Sequence, residues 1–323
     1  MHVHPAIAAL RGTTASQRQA VANTKQAMDQ AHKAWLTRAD IRRVREELIR
    51  YGSGAELESC EALRSLSHDH ERAVAFVEAL IGPTLAVLKT HPLGETPYRF
   101  KVSQGLATLQ VLEASGATLS LLAYEPLEGA QAPKSALFSD RDVNDIVVSG
   151  TASGAVHTVG DAGAISSKPI RLAPGDCLAT KARIGVRHIV HVERSLLILQ
   201  LTREPQRPKP VREIALDTGV ELRTASGDKS ASQALMAVSV LGALRDYGAL
   251  DVMHAAALNR EEDPDVRWEA VRQTLGLAAM RGLEALDTLA RREDDPLSAP
   301  ALALREQLLA TKPDLKALWK ESA

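Results

Sequence analysis

The sequence predicts an α+β multidomain chain in which helices at both ends flank a central all-β barrel. Three observations carry that prediction. The 323 residues exceed the length of a typical single domain. Apolar spacing changes from threes and fours to short alternating runs near residue 96, and returns to helical spacing near residue 229. Between the second and third textures stands the proline-rich "REPQRPKPVRE". The expected divisions are an N-terminal helical segment (1–95), a β-barrel (96–204), a linker (205–228) and a helical domain (229–323).

In the first segment Val21, Met28 and Trp35 recur every seven residues, and Ile41, Val44, Leu48 and Tyr51 repeat at threes and fours. Thr37 with Asp40, and Ser53 with Glu56, have the spacing of reciprocal helix caps. Pro83 is expected to end or kink the last helix of the segment.

From Tyr98 to Thr202 the runs "YRFKV", "ATLQVLEA", "ATLSLLAYEP", "DIVVSG", "AVHTV", "PIRLAPGD", "RHIVHV" and "SLLILQL" are separated by turn residues, as in a sandwich or barrel of short strands. Pro205, Pro208 and Pro210 cannot donate ladder hydrogen bonds, so the stretch after the last run is expected to be a stiff linker.

Beyond it, "SASQALMAVSVLGALRDYGALDVMHAAALN" gives two short helices around the turn "RDYG". "REEDPDVRWEAVRQTLGLAAM" and "RREDDPLSAPALALREQLL" each begin with a charged run and Asp-Pro. Asp263 and Asp295 are placed to cap, with Pro264 and Pro296 at the first helical position, where a missing N–H costs nothing. This helix-pair texture resembles HEAT repeats over about residues 230–310. The resemblance implies stacked helices with a surface for a protein partner.

A formal net charge of −1, with 24% charged residues, gives no reason to expect nucleic acid or an anionic membrane as partner. No leader or spanning segment is read from the sequence, and a cytoplasmic protein is expected. Cys60 and Cys177 are too far apart to suggest a disulfide framework and are expected to be reduced, buried and structural.

The chemistry concentrates in "LAPGDCLATKARIGVRHIVHV", a Pro-Gly-Asp turn, a short strand, a loop and a second strand with His188 twelve positions after Asp176. This order resembles the second motif of the cupin superfamily, in which a Pro-Gly-Asp turn precedes a strand bearing a metal-binding histidine. The resemblance implies a cupin-type jelly-roll barrel over the β region, with an interior able to hold a metal and a substrate. It also implies a first motif of two histidines and a glutamate. The corresponding stretch "GAQAPKSALFSDRDVNDIVVSGTASG" has none of them, and Ser135, Leu137 and Val143 stand near those positions. The metal motif is degenerate.

If the strand is regular, His188, Val190 and Val192 share one face and His191 lies on the other, so pairing the two histidines requires a bulge. His157 is placed to approach His188 from a neighbouring strand. Arg183 and Arg187 flank the loop before His188, where a guanidinium suits a carboxylate or phosphate. Other candidates read as structural: His2 and His4 at a terminus, His68 and His70 at a helix start, and Asp140, Asp142 and Asp145 as loop residues before a strand. "GDAGA" at Gly160 reads as a hairpin. No residue is assigned a catalytic role.

The leading expectation is a non-catalytic binding or regulatory module that holds a small acidic ligand at His188, Arg183, Arg187 and His157, needs no cofactor, and docks a protein through its helices. The alternative is a dioxygenase-like metal-dependent cupin enzyme using one divalent metal such as iron, with His188 as one ligand.

Overall fold

In the computed structural model of the chain, which describes residues 15–91, 95–127, 129, 131–160 and 163–312, the N-terminal periodicities become four helices. They are α1 (Ala15–Leu36), α2 (Ala39–Gly52), α3 (Glu61–His68) and α4 (His70–Thr90). The stripe Ile41, Val44, Leu48 and Tyr51 is buried as its spacing requires, and so are Met28 and Trp35. Val21 falls outside the described side chains, and His2 and His4 outside the described residues.

The expected caps do not form. Thr37 Oγ1 donates to the Ala34 carbonyl at 2.9 Å and so closes α1. Ser53 ends α2, its N–H bonding the Ile49 carbonyl. Asp69 caps α4 instead, accepting from the Arg72 N–H. Pro83 lies inside α4, which continues to Thr90. Its N-terminal half is anchored by buried Ala73, Phe76, Val77 and Leu80 before the proline is reached. By length and composition α4 is apolar enough to cross a membrane, a test that core helices also pass.

The β region has twelve strands among the described residues: β1 (Arg99–Ser103), β2 (Leu106–Ala114), β3 (Ala117–Tyr124), β4 (Ser135–Phe138), β5 (Asp142–Ser149), β6 (Ala152–Val159), β7 (Ile165–Leu172), β8 (Cys177–Thr180), β9 (Gly185–Val192), β10 (Leu196–Arg203), β11 (Val211–Ala215) and β12 (Glu221–Ala225). They form three sheets, ordered β1-β2-β3-β10-β5-β8, β7-β6-β9 and β12-β11-β4.

In β3 and β10 nearly every residue is buried or half-buried, because both faces of the six-stranded sheet are covered. Leu119, Leu121, Ile146, Leu199 and Leu201 share one core with Trp35, Leu48, Phe76 and Leu80 of the helices. Leu122, Val147 and Ile198, on the other face, pack with Ala152, Leu172 and Val192 of the three-stranded β7-β6-β9 sheet. The N-terminal helices therefore share a core with the β region.

Residues 205–228, expected to be a linker, carry β11 and β12. Arg212 to Ala215 pair with Ser135 to Phe138, and the Lys209 N–H bonds Asp140, so this stretch belongs to the β structure despite its three prolines. Cys177, expected to be buried, is exposed at the start of β8, whereas Cys60 is buried. The "GDAGA" hairpin does form, since β6 and β7 pair antiparallel and the Gly160 N–H bonds the Ala164 carbonyl.

The chain divides into two compact units after Thr224. In the second, α5 (Lys229–Ala243), α6 (Leu250–Leu258), α7 (Pro264–Leu277), α8 (Ala279–Ala290) and α9 (Ser298–Thr311) surround a core of Met253, Val271, Leu283, Leu286 and Leu289. Asp263 caps α7, with Pro264 as its first residue. Asp295 accepts from the Leu297 N–H, but Pro296 sits in the preceding turn because α9 begins at Ser298. The Asp295 carboxylate also takes the Arg267 guanidinium at 2.6 Å, both side chains almost fully buried.

Candidate functional site on strand β9

Strand β9 has different chemistry on its two faces. Its register with β6 pairs Val192 with Ala152 and His191 with Ser153, then jumps to pair Ile189 with Gly154, His188 with Ala155 and Arg187 with Val156. Val190 is the extra residue of a β-bulge. Sequence alternation alone puts His188 on the face of Val192, and the bulge reverses this. Ile189 joins Val192 in the packing between the sheets, so Arg187 shares that inner face. His188 turns to the outer face with His191. The bulge that pairing the two histidines requires is present. Gly154 permits it, since a Cβ there would stand 2.0 Å from the His188 carbonyl oxygen.

On the outer face His157 and His188 lie with ring centroids 5.0 Å apart. His157 Nδ1 meets the Ser167 hydroxyl at 2.7 Å. His157 Nε2 and His188 Nδ1 are buried without a hydrogen-bond partner among the described residues. Burial, then the neighbouring His157 and Arg187, hold His188 down at a pKa of about 4, and burial also lowers that of His157. Two neutral imidazoles result. Further along this face Val159, Ile165 and Val186 pack against Ala136, Phe138 and Ile214.

On the inner face Arg187 Nε pairs with Asp145 Oδ2 at 3.1 Å, with side chains only 7% and 4% exposed. Gln200 donates to the other Asp145 oxygen at 2.8 Å, and Arg187 Nη2 reaches the Tyr124 hydroxyl at 3.4 Å. Arg187 Nη1 is buried with no partner among the described residues. Burial pushes the Asp145 carboxyl above its ordinary range, against the pull of Arg187 and Gln200.

Of the four expected ligand-binding residues, the structure brings His157 and His188 together and places Arg187 on the opposite face. Arg183 is apart from both, in the loop before β9 with a φ of +62°, its N–H bonded to the Ser139 carbonyl. Asp142 and Asp145, expected in a loop, lie in β5, and Asp145, Gln200 and Tyr124 are site residues that sequence reasoning missed. The signal was a charged residue immediately before the apolar run "IVV" and two before Val147, on whose face alternation places it. His68 ends α3, whereas His70 opens α4 and bonds the Val148 carbonyl at 2.9 Å.

The donor set does not fit a three-ligand metal centre of the kind the resemblance implies. Among the described residues no group of three His, Cys, Asp or Glu side chains gathers, and the sheet separates Asp145 from the two imidazoles.

No family model matches the sequence, and no curated protein matches it. Among solved structures the chain is similar to a 7S globulin of Momordica charantia, at 14% identity and a TM-score of 0.27 over 36% of this chain and 35% of that one. It is similar to an oxalate decarboxylase of Bacillus subtilis at 12% identity and a TM-score of 0.27, over 33% of this chain and 27% of that one. A putative mannose-6-phosphate isomerase of Ralstonia eutropha JMP134 matches at 20% identity and a TM-score of 0.24, over 35% of this chain and 91% of that one. The chain thus spans about a third of the length of the first and about a quarter of the second.

Proposed function

We propose that the chain is a non-catalytic binding module built on a cupin-type jelly roll, which holds a small carboxylate on Arg187 and presents HEAT-like helices to a protein partner. The order β3-β10-β5-β8 facing β7-β6-β9, with β4 close to β9, supports the jelly-roll reading. The observation that carries the ligand is the buried Arg187 Nη1. A guanidinium nitrogen out of water without an acceptor is costly, and a carboxylate oxygen satisfies it with a charge-assisted bond. Tyr124 offers a hydroxyl on the same side. Because the Arg187–Asp145 pair is already neutral, an incoming anion is expected to draw a proton onto Asp145, so affinity rises as pH falls.

Calorimetric titration with acetate and oxalate tests this reading. Saturable binding is expected, tightening toward acid pH and weakened at least about tenfold in Arg187→Lys, which keeps the charge but loses the fork. Absence of binding, or binding equal in wild type and variant, overturns it.

The two unpartnered imidazole nitrogens favour one alternative, a metal-dependent enzyme with His188 and His157 as ligands. Elemental analysis separates the readings. Less than one equivalent of transition metal in total is expected, and a stoichiometric metal lost in His188→Gln would make the metal reading the better one.

A further inference from the structure

The face of the six-stranded sheet that carries Asp145 is polar along one cross-strand row. The pairing sets Arg99 of β1 against Gln110 of β2, Gln110 against Ser120 of β3, Ser120 against Gln200 of β10, and Gln200 against Asp145 of β5. Directly opposed residues share a face. Ser120 alternates with Leu119 and Leu121 of the helix-side core, so the row faces inward, where Arg187 of β9 meets it at Asp145. The adjacent row on the same face, Leu122, Ile198 and Val147, is apolar and packs with the β7-β6-β9 sheet. Neighbouring strands stand about 4.8 Å apart, so the polar row runs about 14 Å from Asp145 to Gln110. It leads from a side chain 83% exposed at Arg99 to one 4% exposed at Asp145. Gln110 is already held, donating to Glu113. Ser120 is buried, and its Oγ makes no hydrogen bond among the described residues. Gln200 gives its side-chain N–H to Asp145 at 2.8 Å and keeps its carbonyl oxygen as an acceptor.

We infer that the ligand is a polyhydroxylated carboxylate, of the size of a six-carbon sugar acid, with its head on Arg187 and its hydroxylated chain along this row toward β1. The inference rests on the reading of Arg187 as a carboxylate site and names the class of acid. A hydroxyl both donates and accepts, and so matches the Ser120 hydroxyl and the Gln200 carbonyl oxygen together. An alkyl chain in the same place would cover both groups and return no hydrogen bond. No charged residue stands in the row between Arg99 and Asp145, so the body of the ligand is neutral and its charge is confined to the head.

Calorimetric titration of the full chain with gluconate and with hexanoate, acids of equal charge and carbon number, tests the inference. Gluconate is expected to bind at least about tenfold more tightly, because hexanoate leaves the buried polar groups without partners. Ser120→Ala is expected to cut that ratio by about fivefold or more. The wild-type comparison decides the matter even where the variant does not fold. Hexanoate binding as tightly as gluconate, or a ratio unmoved by Ser120→Ala, overturns the inference, and acetate binding that still depends on Arg187 would then leave the carboxylate site standing. Failure of acetate, hexanoate and gluconate alike overturns the reading of Arg187 and this inference with it.

Discussion

His188 ties the chemistry of β9 to acid stability. Its imidazole is held at a pKa of about 4, whereas an unfolded chain titrates near the ordinary 6.5. Between these values the unfolded state binds the extra proton, so the stability contributed by the neutral ring is complete above about pH 6.5 and is lost as pH falls toward 4. Allowing for partial solvent screening, the loss is about 1–2 kcal/mol. Chemical denaturation at pH 7, 5.5 and 4.5 should show this slope, and His188→Gln should flatten much of it; identical slopes would mean that other groups dominate. Much of this site was legible. The sequence singles out His157, His188 and Arg187, all of which the structure places on or beside β9. The facing of each was hidden, because alternation is a local rule and the bulge depends on Gly154 of another strand.

Within the elements, the clearest device is the tie between the two Asp-Pro openings. Arg267 of α7 donates to Asp295 and, through Nε, to the Ala257 carbonyl of α6 at 3.2 Å, so one guanidinium joins successive helices in the core. Arg267→Met strands a buried carboxylate and is expected to cost about 3–5 kcal/mol. Arg267→Met with Asp295→Leu should recover most of that and remain below wild type by about 1 kcal/mol, the value of the lost bond to Leu297. Urea titration of the two variants checks it, and additive losses would argue against the pairing. The repeat of Asp-Pro was visible in the sequence, but the use of the second aspartate was not. Its partner lies twenty-eight residues earlier. Likewise the caps expected at Thr37 and Ser53 had the right spacing and the wrong place, since both residues serve the ends of preceding helices.

For the whole molecule, the α-β-α order was legible because hydrophobic period changes sharply at its borders. The extent of the β region was not, because "PKPVREIALD" has prolines that argue for a linker and a strand that closes on β4. Limited proteolysis with a non-specific protease should therefore cut first within residues 225–228 and spare 205–216, where the Leu216 N–H bonds the Lys134 carbonyl. First cuts within 205–216 would mean that this pairing opens readily. The N-terminal helices were expected as a separate segment. The strands that receive them are apolar on both faces, and "LSLLAY" and "LLILQL" recorded that second covering in advance.

The bulge in β9 sets the reading frame of the strand. With Val190 looped out, guanidinium and imidazole are assigned to opposite sides; a flat pairing of the same residues would send His188 inward and Arg187 outward. Deleting Val190 would leave that assignment intact, since only the looped residue disappears. Filling Gly154 with a larger side chain would push against the loop itself. The strand therefore tolerates a change of length at one position and resists a change of bulk on its neighbour, and an ionic interior and an imidazole interior are separated by a single step of phase.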